Sequence, residues 1–411
     1  MAGATFADRI GFSETPGFGL KQKFILGIGS LFFTIGSLTL VVFQKRSVKH
    51  ERATSGNVVG RVILLVLSTF VTFWVVDFTS IRFFSSRSSL EEHLPYGMIR
   101  KPKPYVMFGG TEYGNLESGE VLNRLGYRGK LPSGSKEADE FRIFVLGGSA
   151  VFLGDSSIPV LLEKEFRRNG FPNVNVYNFG VVTSVSGMEL ARILFEVSEF
   201  EPDLVIMYNG NNDIEHPCLG DPRPGYPMNF IVYEHNPLLE SNIRSYPTMS
   251  LLLYGSNIAR YLLSPYFVKK FVPLEEVRKE VRYQSEAWKE EIADVYVRNL
   301  VRAQQVSNAF GAGFIAFFQP TLYFKDSLSA KENQLVNPVQ RDYYLDMRKR
   351  ILSKIETPVR KERINFVDLS DIYDHVHGRV FEDNVHIRQQ GYVIVVREMF
   401  RQIVKHVTIR K

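Results

Sequence analysis

Ser149, Asp383 and His386 are the residues of this 411-residue chain whose types and surroundings point most directly to chemistry. Ser149 follows Phe141-Arg142-Ile143-Phe144-Val145-Leu146-Gly147-Gly148, and Phe141 to Leu146 is a short apolar run that reads as a buried strand ending at two glycines. Glycines let the backbone turn without a Cβ clash. The serine is thereby left at the carboxyl end of the strand, the edge where open α/β sheets bind ligands. A serine so placed is either a nucleophile or a helix cap, and Asp155, Ser156 or Ser157 just beyond would serve a cap equally well. His386 closes Glu382-Asp383-Asn384-Val385-His386. An imidazole that is to take a proton from a serine needs a carboxylate on its other ring nitrogen, to fix the tautomer and stabilise the imidazolium. Asp383, three residues earlier on the same loop, meets that need locally, while Asn212 and Asp213 on another segment read either as site residues or as a plain turn.

The elements that must position these residues alternate from 141 onward. Strands are expected at 141–146, 174–179, 204–208, 314–318 and 364–369, and helices at 158–169, 187–200, 273–310, 338–355 and 389–407. The βαβαβ order argues for a parallel sheet with helices on both faces, in which each strand ends among residues suited to polar chemistry. Residues 214–273 interrupt the alternation with prolines, aromatics and the apolar patch Met249 to Tyr254, and read as an insertion of lid, wall or simply packed character.

Four elements in the right order make the chain similar to the SGNH (GDSL-type) hydrolase superfamily: Gly148-Ser149, Gly180 after the second strand, Gly210-Asn211-Asn212-Asp213 after the third, and Asp383-Asn384-Val385-His386 near the carboxyl end. The similarity covers about 141–409. It implies a three-layer α/β/α sandwich around a mostly parallel five-stranded, flavodoxin-like sheet. It also implies Ser149 as nucleophile, His386 as general base and then acid, and Asp383 as its orienter. The oxyanion hole would comprise the backbone N–H groups of Ser149 and Gly180 and the side-chain amide of Asn212. Gly148 departs from the family's namesake motif, which has aspartate there. That aspartate belongs to the surroundings of the nucleophile rather than to the triad.

The activity implied is hydrolysis of an ester-linked acyl group, on a lipid or an acylated polysaccharide, through an acyl-enzyme on Ser149. The same residues would equally support an O-acyltransferase acting on envelope or exported polysaccharide. A third reading is a silent scaffold that keeps the fold to hold a glycan. No cofactor is implied. Cys218 is the only cysteine, which excludes an internal disulfide or a cysteine-based metal site. His375 and His377 with Asp374 lie in a polar loop and are not read as metal ligands, nor are His216 and His235.

Ahead of the sheet, 1–23 is a polar leader. Phe24 to Phe43 carries no charge over twenty residues, enough to span about 30 Å of hydrocarbon. A second apolar stretch, 58–77, holds Arg61 near its edge. Lys45, Arg46, Lys49 and Arg52 between them mark a cytoplasmic loop by the positive-inside rule. The expected topology is thus a two-helix transmembrane hairpin over 24–78, in contact with the lipid bilayer and presenting the 141–411 domain on the extracytoplasmic side, in the periplasm or its equivalent. Residues 79–140 read as a linker and irregular approach, with Asn123 to Gly129 a structured turn of no assigned chemistry. The net charge of +6 is spread out, without the basic stripe that nucleic-acid binding requires.

Overall fold

The computed structural model describes Ile63, residues 66–77, Ser256 and, apart from a few single positions, 101–235 and 272–409. The chain divides into two compact units, 1–88 with 251–263, and 89–250 with 264–411. In the second unit a two-stranded antiparallel sheet, β1 (Lys101–Lys103) and β2 (Met107–Gly109), precedes a five-stranded parallel one. The strands of the larger sheet are β3 (Phe141–Gly147), β4 (Val174–Gly180), β5 (Leu204–Asn209), β6 (Gly313–Phe318) and β7 (Phe366–Asp368), in the spatial order β4-β3-β5-β6-β7. This is the flavodoxin-like order, whose switch point falls between β3 and β5.

Strand period dictates the layers. Ile143 and Val145 point to one face of β3 and Phe144 and Leu146 to the other, and all four are fully buried. On the first face they meet Leu162 and Phe166 of α2 (Ile158–Arg168) and Val395, Met399 and Ile403 of α10 (Gln389–His406). On the second they meet α3 (Ser186–Phe195), α7 (Glu286–Ala309) and α9 (Pro338–Arg360), through Ile193, Leu300 and Ile351 among others. The three-layer architecture follows from burying both faces of a sheet whose central strands β3, β5 and β6 are buried along nearly their whole length. The second unit also contains α1 (Ser149–Phe152), α4 (Asn211–Leu219), α5 (Phe230–Glu234), α6 (Leu274–Glu280) and α8 (Ala330–Leu335).

Several expectations change. The long helix expected over 273–310 is two helices, α6 and α7, separated at a turn where Arg282 and Gln284 take positive φ of 54° and 64°. The segment 101–131, expected to be irregular, contains the β1–β2 hairpin and a tightly bonded turn packed on the sheet unit. The insertion begins with helices α4 and α5, and 236–255 and 257–271 lie outside the described residues. So does the whole first apolar span, 24–43. Of the second, Ile63 and 66–77 are helical, and among the described residues no helix is long and apolar enough to cross a membrane.

Candidate active site

Ser149 opens α1 directly after β3, and the turn is made possible by Gly147, where a Cβ would stand 2.4 Å from the carbonyl oxygen of Tyr208 on β5. At Gly148 a Cβ would stand 2.4 Å from Asn212 Nδ2. A side chain at 148 therefore requires the Asn212 amide to shift.

The imidazole of His386, 237 residues away, lies against this serine. Its Nε2 is 2.8 Å from Ser149 Oγ and its Nδ1 is 2.7 Å from Asp383 Oδ2. With the carboxylate accepting from Nδ1–H, Nε2 is left as the acceptor for the serine proton. Asp383 Oδ1 accepts from the backbone N–H groups of Val385 and His386 at 2.9 and 2.7 Å. Burial pushes the Asp383 carboxyl up, but its hydrogen bonds and attraction to His386 outweigh this and hold it below the ordinary carboxylate range. It thus stays ionised where a proton would destroy its function.

The loop carrying both residues is a short antiparallel turn closed by the Phe381–Ile387 bridge and a Glu382 N–H to His386 carbonyl bond of 2.8 Å. Two contacts through Asn384 tie it to the sheet edge. The Asn384 carbonyl accepts from Leu322 N–H at 2.9 Å, and its side-chain amide donates to Glu215 Oε1 at 2.7 Å. Glu215 also accepts from Asn211, and Asn211 accepts in turn from the buried Tyr344 hydroxyl. Burial raises the Glu215 carboxyl and the nearby Asp383 charge adds to this, against the two amide donors. Helix α4 therefore carries Asn212 toward the nucleophile and, one turn on, grips the loop of the base.

The other two groups expected in the oxyanion hole, Gly180 N–H and the Asn212 amide, are differently placed. Gly180 N–H donates to Asn178 Oδ1 at 2.9 Å, and a Cβ at 180 would lie 2.9 Å from both Phe152 N and Val151 Cβ. Glycine at this position lets α1 lie directly on β4, and its N–H is already engaged. For that N–H to serve an oxyanion, its bond to Asn178 Oδ1 would have to open. Two residues on, Val182 leads to Thr183, which adopts a left-handed φ of 61°, and neither N–H has an acceptor among the described residues. The Asn212 amide donates to the Ser184 carbonyl at 2.7 Å, which uses one of its two hydrogens and fixes the side chain beside Gly148. Asp213, buried, accepts from Ser186 N–H and from the Ser186 hydroxyl at 2.5 Å, tying the start of α3 to α4. Its place is structural.

Asn212→Ala is expected to reduce kcat for p-nitrophenyl acetate by about 10²–10³-fold with little change in KM, because the lost donor acts on charge that develops only at the transition state. Steady-state kinetics on the purified variant check this, and an unchanged kcat removes Asn212 from the oxyanion hole.

Among the described residues no group of three or more His, Cys, Asp and Glu side chains is arranged to hold a metal ion. No family model and no curated protein matches the chain. Solved structures similar to it include a GDSL-like lipase from Bacteroides thetaiotaomicron, 14% identical, covering 67% of this chain and 93% of that one with a TM-score of 0.37. A lipase/acylhydrolase from Enterococcus faecalis is 14% identical, covering 66% and 99%, TM-score 0.38. A catalytic mutant of an acetylxylan esterase from Geobacillus stearothermophilus is 14% identical, covering 66% and 96%, TM-score 0.35.

Proposed function

We propose that this chain is a serine ester hydrolase of the SGNH type that forms an acyl-enzyme on Ser149. The observation that carries the reading is the continuous hydrogen-bonded line from Ser149 Oγ through both nitrogens of His386 to Asp383. In the forward step the Ser149 hydroxyl adds to the ester carbonyl as its proton passes to His386 Nε2. Collapse of the tetrahedral intermediate expels the alcohol, which takes that proton. Water, deprotonated by the same imidazole, then releases the acid.

The alcohol is proposed to be large, a lipid or an acylated polysaccharide. The supporting observation is that the Asp383 side chain is 50% and the His386 side chain 31% exposed, so the base stands at an open rim rather than at the bottom of a closed pocket. The same openness suits a sugar hydroxyl as the final acceptor, which makes O-acyl transfer the second reading. Release of free acid in water against acyl transfer to an added glycan separates the two.

The chain is further proposed to be held at a membrane, with its site on the extracytoplasmic side. Two observations support this: the uncharged twenty-residue run from Phe24, and the 66–77 helix, which exposes Val66, Leu67, Phe70, Val71, Trp74 and Val75 along one broad face. An exposed apolar face of that width calls for protein or lipid against it.

Wild-type protein is expected to be labelled by a fluorophosphonate at Ser149, read as a peptide mass shift, and His386→Ala to label far more slowly. Absence of label on an otherwise folded wild type would favour the silent scaffold.

A further inference from the structure

The turn Asn123-Arg124-Leu125-Gly126-Tyr127-Arg128-Gly129 lies outside the part of the chain that resembles a hydrolase, yet it reaches the nucleophile's own helix. Helix α1 is a single turn, so its terminal carbonyls need partners beyond the helix. Ser149 O accepts from Leu153 N–H at 2.7 Å, and Val151 O from the Asn178 amide at 3.2 Å. Phe152 O accepts from Arg128 Nη1 at 3.0 Å, and the same nitrogen donates to Gly154 O at 2.7 Å. The guanidinium is held from behind by Glu120, 2.5 Å from Nε.

The turn that delivers Arg128 is itself rigid. Asn123 Oδ1 accepts from the N–H groups of Leu125 and Tyr127, both at 3.0 Å, and its amide donates to Gly129 O at 3.1 Å. Gly110 and Gly126 cross so closely that a Cβ on Gly110 would fall 1.9 Å from the Gly126 carbonyl oxygen. Tyr127 is fully buried and stacks on Phe179 of β4, with ring centroids 4.2 Å apart. Leu122 packs with Phe152 of α1 and Val182 of the loop after β4. A fixed cation is therefore presented to the negative end of the short helix whose first residue is Ser149.

We infer that Arg128 is a positioning residue for the nucleophile: by holding Phe152 O and Gly154 O it fixes the orientation of α1 and so the placement of Ser149 Oγ against His386 Nε2. The segment 110–129 is thereby a working part of the active site rather than a tether. This rests on the serine-hydrolase reading above.

The test uses the full-length chain as Arg128→Ala, Arg128→Lys and Glu120→Gln, with wild-type fluorophosphonate labelling at Ser149 establishing first that the hydrolase reading holds. Misplacement of a reacting group by about 1 Å costs about 10²-fold, so Arg128→Ala is expected to lose about that factor in both kcat and labelling rate, with KM nearly unchanged. Arg128→Lys and Glu120→Gln are expected to fall between it and wild type, and added guanidinium ion to restore part of the rate in Arg128→Ala alone. If Arg128→Ala stays within twofold of wild type, or loses rate only in proportion to its unfolded fraction with no rescue by guanidinium, the inference is wrong. A wild type that fails to label overturns the underlying reading instead.

Discussion

Ser149→Ala is expected to lower kcat on p-nitrophenyl acetate by about 10⁶-fold, to the level left by binding and oxyanion stabilisation alone. The size follows from how the three groups depend on each other. With the hydroxyl gone, His386 has no proton to take, and its 2.8 Å contact to Oγ has no chemical consequence. Asp383→Asn is expected to cost about 10⁴-fold, because an amide facing Nδ1 at 2.7 Å favours the tautomer that places a proton on Nε2. Turnover of acyl substrates by purified wild type and both variants measures these ratios, and equal rates in Ser149→Ala and wild type would remove the catalytic assignment.

The second large effect is on folding. Glu332 and Lys325 form a fully buried ion pair at 2.8 Å, with side chains 0% and 1% exposed. Glu332 also accepts from Ser329 N–H at 2.9 Å, and from Val380 and Phe381 N–H at 2.8 and 3.1 Å, while Lys325 donates to Gly378 O. The pair thus binds α8 to the strand of chain that leads into the Asp383–His386 loop. Glu332→Ala leaves an uncompensated buried ammonium and three orphaned backbone donors, and is expected to destabilise the fold by about 3–5 kcal/mol. Denaturant unfolding of the variant reads this directly, and a loss below 1 kcal/mol contradicts it.

A pH dependence accompanies the pair. Burial alone would push the Glu332 carboxyl up, but Lys325 and the backbone donors bring it down to about 2, from an ordinary value of 4.5. A folded-state value below the unfolded one means that the contribution is fully present above about pH 4.5 and is lost as pH falls toward 2. Comparing wild type with Glu332→Gln across that window isolates it, because the amide does not titrate.

The sheet and the line of side chains from Ser149 through His386 to Asp383 are legible in the sequence for one physical reason. β3, β4, β5 and β6 are largely apolar runs that end at or within two residues of glycine or proline, Ser149 and Asn212 sit just past two of them, and the Asp383–His386 pair sits just ahead of the last helix. The supporting contacts were not legible. Arg128 serves carbonyls 24 and 26 residues away, Asn178 a carbonyl 27 away, and Glu215 an amide 169 away. Their partners are backbone atoms or remote side chains that leave no local pattern. The family resemblance implies the Gly180 N–H as an oxyanion donor. The structure instead continues β4 through Gly180 and turns the Asn178 side chain back onto its N–H, a geometry that side-chain identity alone does not encode. The α6–α7 break was invisible for a related reason, since 281–285 contains neither glycine nor proline, and Arg282 and Gln284 take up the left-handed conformation.

The close approach of Asn212 to Gly148 couples substitutions at the two positions. A side chain at 148 and the Asn212 amide compete for one volume, so an aspartate at 148 disturbs the seat of the amide on the Ser184 carbonyl unless Asn212 shifts with it.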